Sequence, residues 1–328
     1  GLAAVAQIMI GNDAGQHPPG SGHHEWSWAG SACVGDVNGD GFPDLIIGSA
    51  GARRPSEPAN GVRPGALYIV YGGKNLPGSR DFAVEPDSPG HDYDPKLVTC
   101  LLGKEDKDQA GFSVASGDVD GDGIDDVIGG APKATPDPQW PEAGEVYIHY
   151  GRQGLDGTPP LKMAELGNDQ SGTRILGRRP PPHLGCSVAC GDVNGDGKAD
   201  VIVGADQTNN GAGELNIFYG SKKLRGKLIN LAADSPSVHV SAQDVTEPAK
   251  LGLSMAWKAA DLNRDGYADV VSLWMQKRPG NGPGAGEIPG GALVLFGGGE
   301  SRYCVVRWAE RLWSLIAPKH QQAPVRSQ

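Results

Sequence analysis

Residues 110–130 read AGFSVASGDVDGDGIDDVIGG, and residues 184–204 read LGCSVACGDVNGDGKADVIVG. The same plan appears at residues 29–48, as AGSACVGDVNGDGFPDLIIG, and more loosely at residues 251–271, as LGLSMAWKAADLNRDGYADVV. The acidic loops at the centre of these segments begin 82, 74 and 69 residues apart, at Asp36, Asp118, Asp192 and Asp261. Recurrence of one plan at such a spacing indicates a single repeat array rather than unrelated domains.

Sequence on both sides of each acidic loop has the pattern of a β-strand. Before the second loop, Phe112, Val114 and Ser116 alternate with smaller residues, and branched runs such as residues 201–203 follow the loops. A third apolar strand is predicted at residues 65–72, 144–151, 213–220 and 291–297. A fourth is predicted at residues 96–102, 173–176 and 238–242. Four antiparallel strands in a unit of about 70 residues describe a propeller blade, so we predict an all-β propeller of four-stranded antiparallel blades with four recognisable repeats.

The two ends of the chain bear on how a ring of blades would close. Residues 6–11 read like a fourth strand that precedes the first full repeat, and its donation to the last blade would remove an exposed edge. Residues 305–317 are compatible with a closing strand, a short amphipathic helix or a connection to further sequence. We therefore expect a propeller over residues 1–300 and a closing strand or C-terminal tail over residues 301–328.

Composition and charge argue against several classes of protein. With 29 Lys and Arg against 39 Asp and Glu, the formal charge of −10 disfavours nucleic acid and anionic membranes, because both require a basic face. No apolar run approaches the roughly 18 residues of a membrane span, so membrane insertion is not expected. Residues 2–10 lack a Met and a basic flank, which indicates a mature chain or an excerpt whose signal peptide is gone. The cysteines are too scattered for a disulfide framework, and Cys186 and Cys190 are expected in the core.

The acidic loops follow the pattern Asp-x-Asn/Asp-x-Asp-Gly-x-x-Asp, which is typical of a calcium site. Ca²⁺ binds six to eight oxygens at about 2.3–2.6 Å, and side chains at positions one, three and five turn toward one centre as the loop curls. The glycine at position six permits the bend, and the backbone carbonyl at seven and the carboxylate at nine would complete the shell. The candidate metal ligands are, loop by loop, Asp36, Asn38, Asp40, Phe42 and Asp44; Asp118, Asp120, Asp122, Ile124 and Asp126; Asp192, Asn194, Asp196, Lys198 and Asp200; and Asp261, Asn263, Asp265, Tyr267 and Asp269.

Two other interpretations of these loops are weaker. An EF-hand needs a Glu at position twelve and flanking helices, whereas position twelve is here occupied by Ile47, Gly129, Val203 and Ser272. Plain Asp/Asn/Gly turns would explain one loop, but not four in register whose carboxylates would repel one another without a cation. The fourth loop is the least regular, because Arg264 takes the place of a glycine at position four.

The unit GxSVAxGDVNGDGxxDVIVGA followed by GxxYxxYG resembles the FG-GAP repeat of the integrin alpha-subunit propeller, over roughly residues 5–300. The resemblance implies that each loop joins the first two strands of a blade and binds calcium on one propeller face. Propellers of this family usually have seven blades, so a chain with four repeats is an excerpt of such a ring or a smaller ring. The fourth repeat departs from the pattern, because Leu273 stands where Gly48, Gly130 and Gly204 stand.

Beyond the acidic loops, the sequence offers no catalytic constellation, and we predict that the chain is not an enzyme. G-x-S-x-G, P-loop and H-E-x-x-H motifs are absent from it, and the histidine pair at residues 23–24 is interpreted as part of a polar loop. Exposed tryptophans suit recognition of proteins or carbohydrates, which makes Trp26, Trp28 and Trp140 candidate ligand-binding residues. The long linkers at residues 49–64, 131–143 and 275–290 follow equivalent strands and are expected on one face.

These features predict a calcium-stabilised module for extracellular or cell-surface binding and adhesion, which recognises a protein partner through its loop face. The expected cofactor is Ca²⁺, and the expected partner is a protein or glycan ligand on the cell surface or in the matrix. Two alternatives stay open. One is a propeller lectin that binds carbohydrate, and the other is the non-catalytic propeller part of a larger phospholipase or polysaccharide lyase.

Overall fold

The computed structural model describes residues 29–52, 62–74, 94–158, 161–178, 183–206, 213–241, 254–255, 259–277, 287–298 and 302–307. These residues form β-strands β1–β18 and two short 3-10 helices, with no α-helix among them. Within the same ranges, no helix has the length and hydrophobicity that crossing a lipid bilayer demands. The predicted N-terminal strand at residues 6–11, Trp26 and Trp28 lie outside the described residues.

The strands follow the four repeats in chain order. The first repeat supplies β1 Ala29–Gly35, β2 Asp44–Ser49, β3 Ala66–Val70 and β4 Val98–Leu102. The second supplies β5 Ser113–Gly117, β6 Asp126–Ala131, β7 Glu145–His149, β8 Leu161–Lys162, the 3-10 helix Met163–Glu165 and β9 Gly172–Leu176. The third supplies β10 Leu184–Gly191, β11 Asp200–Ala205, β12 Glu214–Phe218, the 3-10 helix Lys222–Leu224, β13 Leu228–Asn230 and β14 Val238–Ser241. The fourth supplies β15 Ser254–Met255, β16 Val270–Lys277, β17 Glu287–Phe296 and β18 Arg302–Arg307.

Each repeat folds into one antiparallel sheet in which successive strands are neighbours. The orders are β1-β2-β3-β4, β5-β6-β7-β9, β10-β11-β12-β14 and β15-β16-β17-β18. The fourth strands predicted for the first three repeats are present as β4, β9 and β14. The prediction of an all-β fold built from four-stranded, propeller-type blades is thus confirmed, and the described sheets form an open series rather than a closed ring.

The first two sheets have a fifth strand that the sequence pattern did not predict. After β7 the chain returns to the first sheet, where β8 pairs in parallel with β4, and after β12 it returns to the second sheet, where β13 pairs in parallel with β9. Both added strands are only two or three residues long, too short for a periodic signal. Each nevertheless fastens one repeat to the edge of the repeat before it.

Apolar side chains pack between consecutive sheets. Ile46 and Leu67 of the first sheet pack with Val127 of the second, and Ile128 of the second packs with Val201 of the third. These side chains are almost fully buried, and burial of each contributes about 1.5–3 kcal/mol relative to an exposed position. Each of these two clusters is therefore formed by two consecutive sheets, as in the packing of propeller blades.

Glycines at the ends of β2 and β6 allow the sheets to approach closely. A Cβ added to Gly48 would lie 2.0 Å from the carbonyl oxygen of Gly111, and one added to Gly130 would lie 2.0 Å from that of Gly185. Gly111 lies just before β5 and Gly185 near the start of β10, so any side chain at Gly48 or Gly130 would separate consecutive sheets. This contact explains physically why a glycine recurs at the end of the second strand.

No disulfide joins Cys33, Cys100, Cys186 or Cys190. Cys186 and Cys190 lie in β10 as buried thiols, which agrees with their expected place in the core. Burial raises the pKa of Cys186 well above its usual value, so this thiol stays protonated and behaves as a small apolar group. At the other end of the chain, β18 continues the fourth sheet by pairing antiparallel with β17.

Candidate metal centre

Each acidic loop joins the first two strands of its sheet and is held by its own backbone. In the second loop, Asp118 accepts hydrogen bonds from the N–H groups of Asp122 at 3.0 Å and Gly123 at 2.8 Å. The N–H of Asp122 also donates to Asp120 at 3.0 Å, and the N–H of Ile124 donates to Asp122 at 3.0 Å. Positions one, three and five are therefore turned inward by the same bonds that curl the loop.

The other three loops repeat this pattern bond for bond. The carboxylate at position one accepts hydrogen bonds from the backbone N–H groups at positions five and six. These carboxylates belong to Asp36, Asp192 and Asp261. Their position-three amides accept from position five, in Asn38, Asn194 and Asn263. Their position-five carboxylates accept from position seven, in Asp40, Asp196 and Asp265. The sequence repeat is thus also a repeat of side-chain geometry.

The carboxylate at position nine has a structural role that the sequence pattern did not reveal. Asp126 is fully buried, and its two oxygens accept hydrogen bonds from the N–H groups of Val119 at 2.8 Å and Gly151 at 2.9 Å. Because Gly151 follows the third strand, this side chain fastens the loop to that strand. The same pair of bonds is made in the other loops by Asp44, Asp200 and Asp269.

The second loop brings three carboxylates to one point. Oxygens of Asp118, Asp120 and Asp126 lie within 4.8 Å of one another, the only such group of acidic, His or Cys side chains among the described residues. Two oxygens on opposite sides of a calcium ion would be about 4.6–5.2 Å apart, so these three atoms fit around one ion. The donors are hard oxygens, which Ca²⁺ prefers over nitrogen or sulfur.

Electrostatics in the loops also favours a cation. Burial, reinforced by the charges of Asp120 and Asp118, raises the pKa of Asp126 to about 8. Burial likewise raises the pKa of Asp44 and of Asp200 to about 6. A bound divalent cation would keep these carboxyls ionised by adding positive charge next to them.

The residues at position seven stay predicted ligands through their backbone carbonyls. Each of them donates its N–H to the position-five carboxylate, so the backbone at this position is held against the loop. They are Phe42, Ile124, Lys198 and Tyr267.

The irregular residue of the fourth loop adopts the backbone conformation of the glycine it replaces. Arg264 has φ 63°, close to the φ of 77° at Gly121 in the second loop. A non-glycine residue in this left-handed region is strained by about 1–2 kcal/mol. The fourth loop therefore keeps the shape of the others at a cost in stability.

Consecutive loops are joined by hydrogen bonds that sequence reasoning also missed. The residue at position eight donates its N–H to the carbonyl oxygen at position one of the preceding loop. These bonds run from Asp125 to Asp36 at 2.9 Å, from Ala199 to Asp118 at 2.8 Å, and from Ala268 to Asp192 at 2.7 Å. The four loops thus form one connected row along one edge of the sheets.

One cation from another repeat enters the second loop. The guanidinium of Arg225 contacts the carboxylate of Asp120 and donates to Asp122 Oδ2 at 2.8 Å. Its central carbon lies 4.7 Å from the centre of the Tyr150 ring. Arg225 is more than 100 residues from the loop in sequence, and no local pattern marks it as part of the site.

The opposite edge of the sheets contains a different polar cluster. Trp140 is half-buried in the connection between β6 and β7 and donates its N–H to the carbonyl of Asp137 at 2.8 Å. Nearby, the His183 imidazole lies between two carboxylates, with Nδ1 3.1 Å from Asp206 and Nε2 3.4 Å from Glu142. Of the tryptophans predicted to bind ligand, only Trp140 lies among the described residues.

Comparison with known proteins agrees with the repeat structure. The FG-GAP repeat matches residues 28–70, 110–149 and 185–215, which begin at or near the first strands of the first three sheets. The chain is 31% identical over 193 residues to the phosphatidylinositol-glycan-specific phospholipase D of Dictyostelium discoideum, covering 57% of this chain and 19% of that protein. It is 32% identical over 197 residues to the human phosphatidylinositol-glycan-specific phospholipase D, covering 58% and 20%.

A second group of relatives consists of integrin alpha subunits. The chain is 28% identical over 226 residues to integrin alpha pat-2 of Caenorhabditis elegans, covering 67% of this chain and 16% of that protein. It thus spans about a fifth or less of the length of the relatives it matches. On these grounds the chain contains FG-GAP repeats, and its sheets are blades of the integrin-like propeller type.

Proposed function

We propose that this chain is a calcium-stabilised propeller module that binds a protein partner outside the cell and has no catalytic role of its own. The observation that carries the proposal is the row of four acidic loops, each with the same set of inward-turned oxygens. Bound calcium would neutralise these carboxylates and stiffen the edge at which they lie. Asp118, Asp120, Asp122 and Asp126, with their counterparts in the other loops, would hold it.

We place the partner site on the edge opposite to the calcium loops. In an antiparallel sheet, the connection from the second to the third strand lies at the other end from the connection between the first and second. We call this edge the linker face and define it by the described residues of these connections, which are 50–52, 62–65, 132–144, 206 and 213. These connections differ in length and sequence, and variable loops on a rigid scaffold are a common location for binding. Similarity to integrin alpha subunits supports a protein partner.

An array of matrix proteins and glycans, probed with the full chain in calcium and in chelator, tests this proposal. We expect binding to protein spots that falls when calcium is removed and when Trp140 on the linker face is replaced by Ala. Tyr219, which is exposed at the end of β12 near the opposite edge, provides a matched aromatic control through Tyr219→Ala. Binding confined to one sugar class would contradict the protein-partner proposal and favour a lectin.

A second candidate function is supported by the similarity to phosphatidylinositol-glycan-specific phospholipase D. In this alternative the repeats form a non-catalytic propeller within a larger enzyme, and calcium has the same stabilising role. The array distinguishes the two candidates, because a scaffold of this kind would give no calcium-dependent spot while still taking up calcium. Limited proteolysis with and without calcium would then show the stiffening directly.

A further inference from the structure

The segment that follows β12 carries Arg225 to the second loop along a fixed path. After the 3-10 helix Lys222–Leu224, the chain leaves the third sheet and forms β13. This strand pairs in parallel with β9 of the preceding repeat. The N–H of Gly226 donates to the Gly172 carbonyl at 3.1 Å, and the N–H of Arg174 donates to the Lys227 carbonyl at 3.0 Å. Arg225 lies between the 3-10 helix and these anchors, and from there its side chain reaches the second loop.

Arg225 binds the carboxylate oxygens that the loop leaves for a cation. The backbone N–H groups of the loop use Oδ1 of Asp120 and Oδ1 of Asp122, and Arg225 contacts Oδ2 of both. In the other loops, the corresponding Oδ2 at position five is contacted from within the loop. The pairs are Asn38 with Asp40, Lys198 with Asp196, and Asn263 with Asp265. Among the described residues, only the second loop receives a cation from another repeat.

Among its candidate metal ligands, the second loop also has one more carboxylate than each of the other loops. Position three is Asp120 here, whereas it is Asn38, Asn194 or Asn263 elsewhere. Asp120 is 1% exposed, and a carboxylate buried to this degree requires a positive partner. The guanidinium of Arg225 supplies that partner and offsets the additional negative charge. Asp120 and Arg225 therefore form a pair that distinguishes this loop from the other three.

The preceding repeat contains the same turn with the opposite charge. The N–H of Leu155 donates to Arg152 and that of Thr158 to Leu155, just as the N–H of Leu224 donates to Ser221 and that of Lys227 to Leu224. The residue after the shared leucine is Asp156 in the second repeat and Arg225 in the third. At the position where the third repeat has the guanidinium of Arg225, the second repeat therefore has an exposed carboxylate.

We propose that Arg225 is an internal cation of the second acidic loop, where it competes with calcium for Asp120 and Asp122. Calcium then binds the second loop more weakly than the first, and its entry displaces the guanidinium. Since Arg225 belongs to the segment that adds β13 to the second sheet, calcium in this loop is coupled to the contact between the second and third repeats. The inference rests on the proposed calcium role of the loops.

Calorimetric titration of the full chain with CaCl₂ tests the inference. We expect Arg225→Gln to tighten one calcium site by about tenfold or more, the factor expected when calcium no longer has to break a charge-assisted hydrogen bond. Lys223→Gln is the matched control, because it removes an equal charge from the 3-10 helix just before Arg225, where Lys223 is exposed and makes no ion pair with Asp120 or Asp122. It should leave every site unchanged. Asp118→Asn assigns the site, because the tightening should disappear in the Asp118→Asn/Arg225→Gln double variant.

The possible results separate this inference from the proposed function. Tightening in Arg225→Gln that requires Asp118 supports the internal cation. A site that Asp118→Asn weakens but Arg225→Gln leaves unchanged or weakens would overturn the inference while the calcium role stands. Absence of calcium uptake by the wild type and by Arg225→Gln, with both folded by circular dichroism, would overturn the two together.

Discussion

The backbone N–H of Ala199 in the third loop donates a 2.8 Å hydrogen bond to the carbonyl oxygen of Asp118 in the second. Asp118 is at the same time the first candidate calcium ligand of its own loop, through its side chain. A metal ion that fixes Asp118 would therefore also fix the acceptor on which the next loop depends. Calcium binding would in this way be linked to the contact between repeats through single residues.

The glycine that ends β6 provides a test of how the sheets pack. Replacement of Gly130 by Ala places a Cβ 2.0 Å from the Gly185 carbonyl, which requires the second and third sheets to separate locally. We expect Gly130→Ala to lower the free energy of unfolding by about 1–3 kcal/mol. Urea denaturation measures this loss of stability. Gly48→Ala should cause a similar loss, because its Cβ would lie 2.0 Å from the Gly111 carbonyl oxygen. Unchanged midpoints in both variants would show that the sheets do not approach as described.

Two substitutions at left-handed backbone positions in the acidic loops should change the stability of the protein in opposite directions. We expect Arg264→Gly to stabilise the protein by about 0.5–1 kcal/mol, because relief of the left-handed strain is partly offset by the entropy of glycine. Gly123→Ala should destabilise it by about 1–2 kcal/mol, since Gly123 has φ 90° although a Cβ there would meet nothing within 4 Å. Thermal unfolding in chelator measures both without a contribution from calcium. Stabilisation by Gly123→Ala would show that this loop has another shape.

His183 makes stability depend on pH. Its hydrogen bond to Asp206, with a smaller contribution from Glu142, raises the pKa of His183 above its usual 6.5. A raised pKa in the folded state means that the stabilisation is fully present below about pH 6.5 and is lost as pH rises through the folded pKa. We expect His183→Gln to destabilise the protein at pH 5.5 and to have a smaller effect at pH 8.5. Urea denaturation measures the free energy of unfolding at each pH. An equal loss of stability at pH 5.5 and pH 8.5 would mean that the charge of the imidazole does not stabilise the fold.

A buried ion pair in the second sheet predicts a large single-site effect. Arg174 Nη2 lies 2.7 Å from Glu145 Oε2, and the Glu145 side chain is fully buried. Arg174→Met leaves that carboxylate without its cation, and we expect a loss of about 3–5 kcal/mol in the free energy of unfolding. The Glu145→Leu/Arg174→Met double variant should recover much of this loss. A double variant less stable than Arg174→Met would contradict the assignment of the cost to the unpaired charge.

The sequence was sufficient for the elements that repeat. Alternation before Asp118 and branched residues after Asp126 predicted the two strands around each loop, and recurrence of the pattern predicted the array of blades. The irregularity of the fourth loop was visible from Arg264 alone, because only a glycine adopts that conformation without strain.

Contacts between repeats could not be predicted, because no periodic or recurring pattern in the sequence marks them. The pairing of β13 with β9, the entry of Arg225 into the second loop and the contact of His183 with Glu142 all join residues of different repeats. Each depends on where the tertiary fold brings a single short segment. The structural role of Asp126 was hidden for another reason, since one acidic residue serves equally well as a metal ligand and as an acceptor for two backbone N–H groups.

Calorimetric measurement of calcium stoichiometry, on the wild type and on the Asp118→Ala/Asp122→Ala double variant, tests the central claim most directly. Both residues belong to the second loop, and neither makes the position-nine bonds that fasten the loop to the third strand. We predict calcium uptake by the wild type, one ion fewer per chain in the variant, and a lower unfolding temperature for the variant in calcium. Equal stoichiometry in the two proteins would contradict the assignment of the acidic loops as the calcium sites.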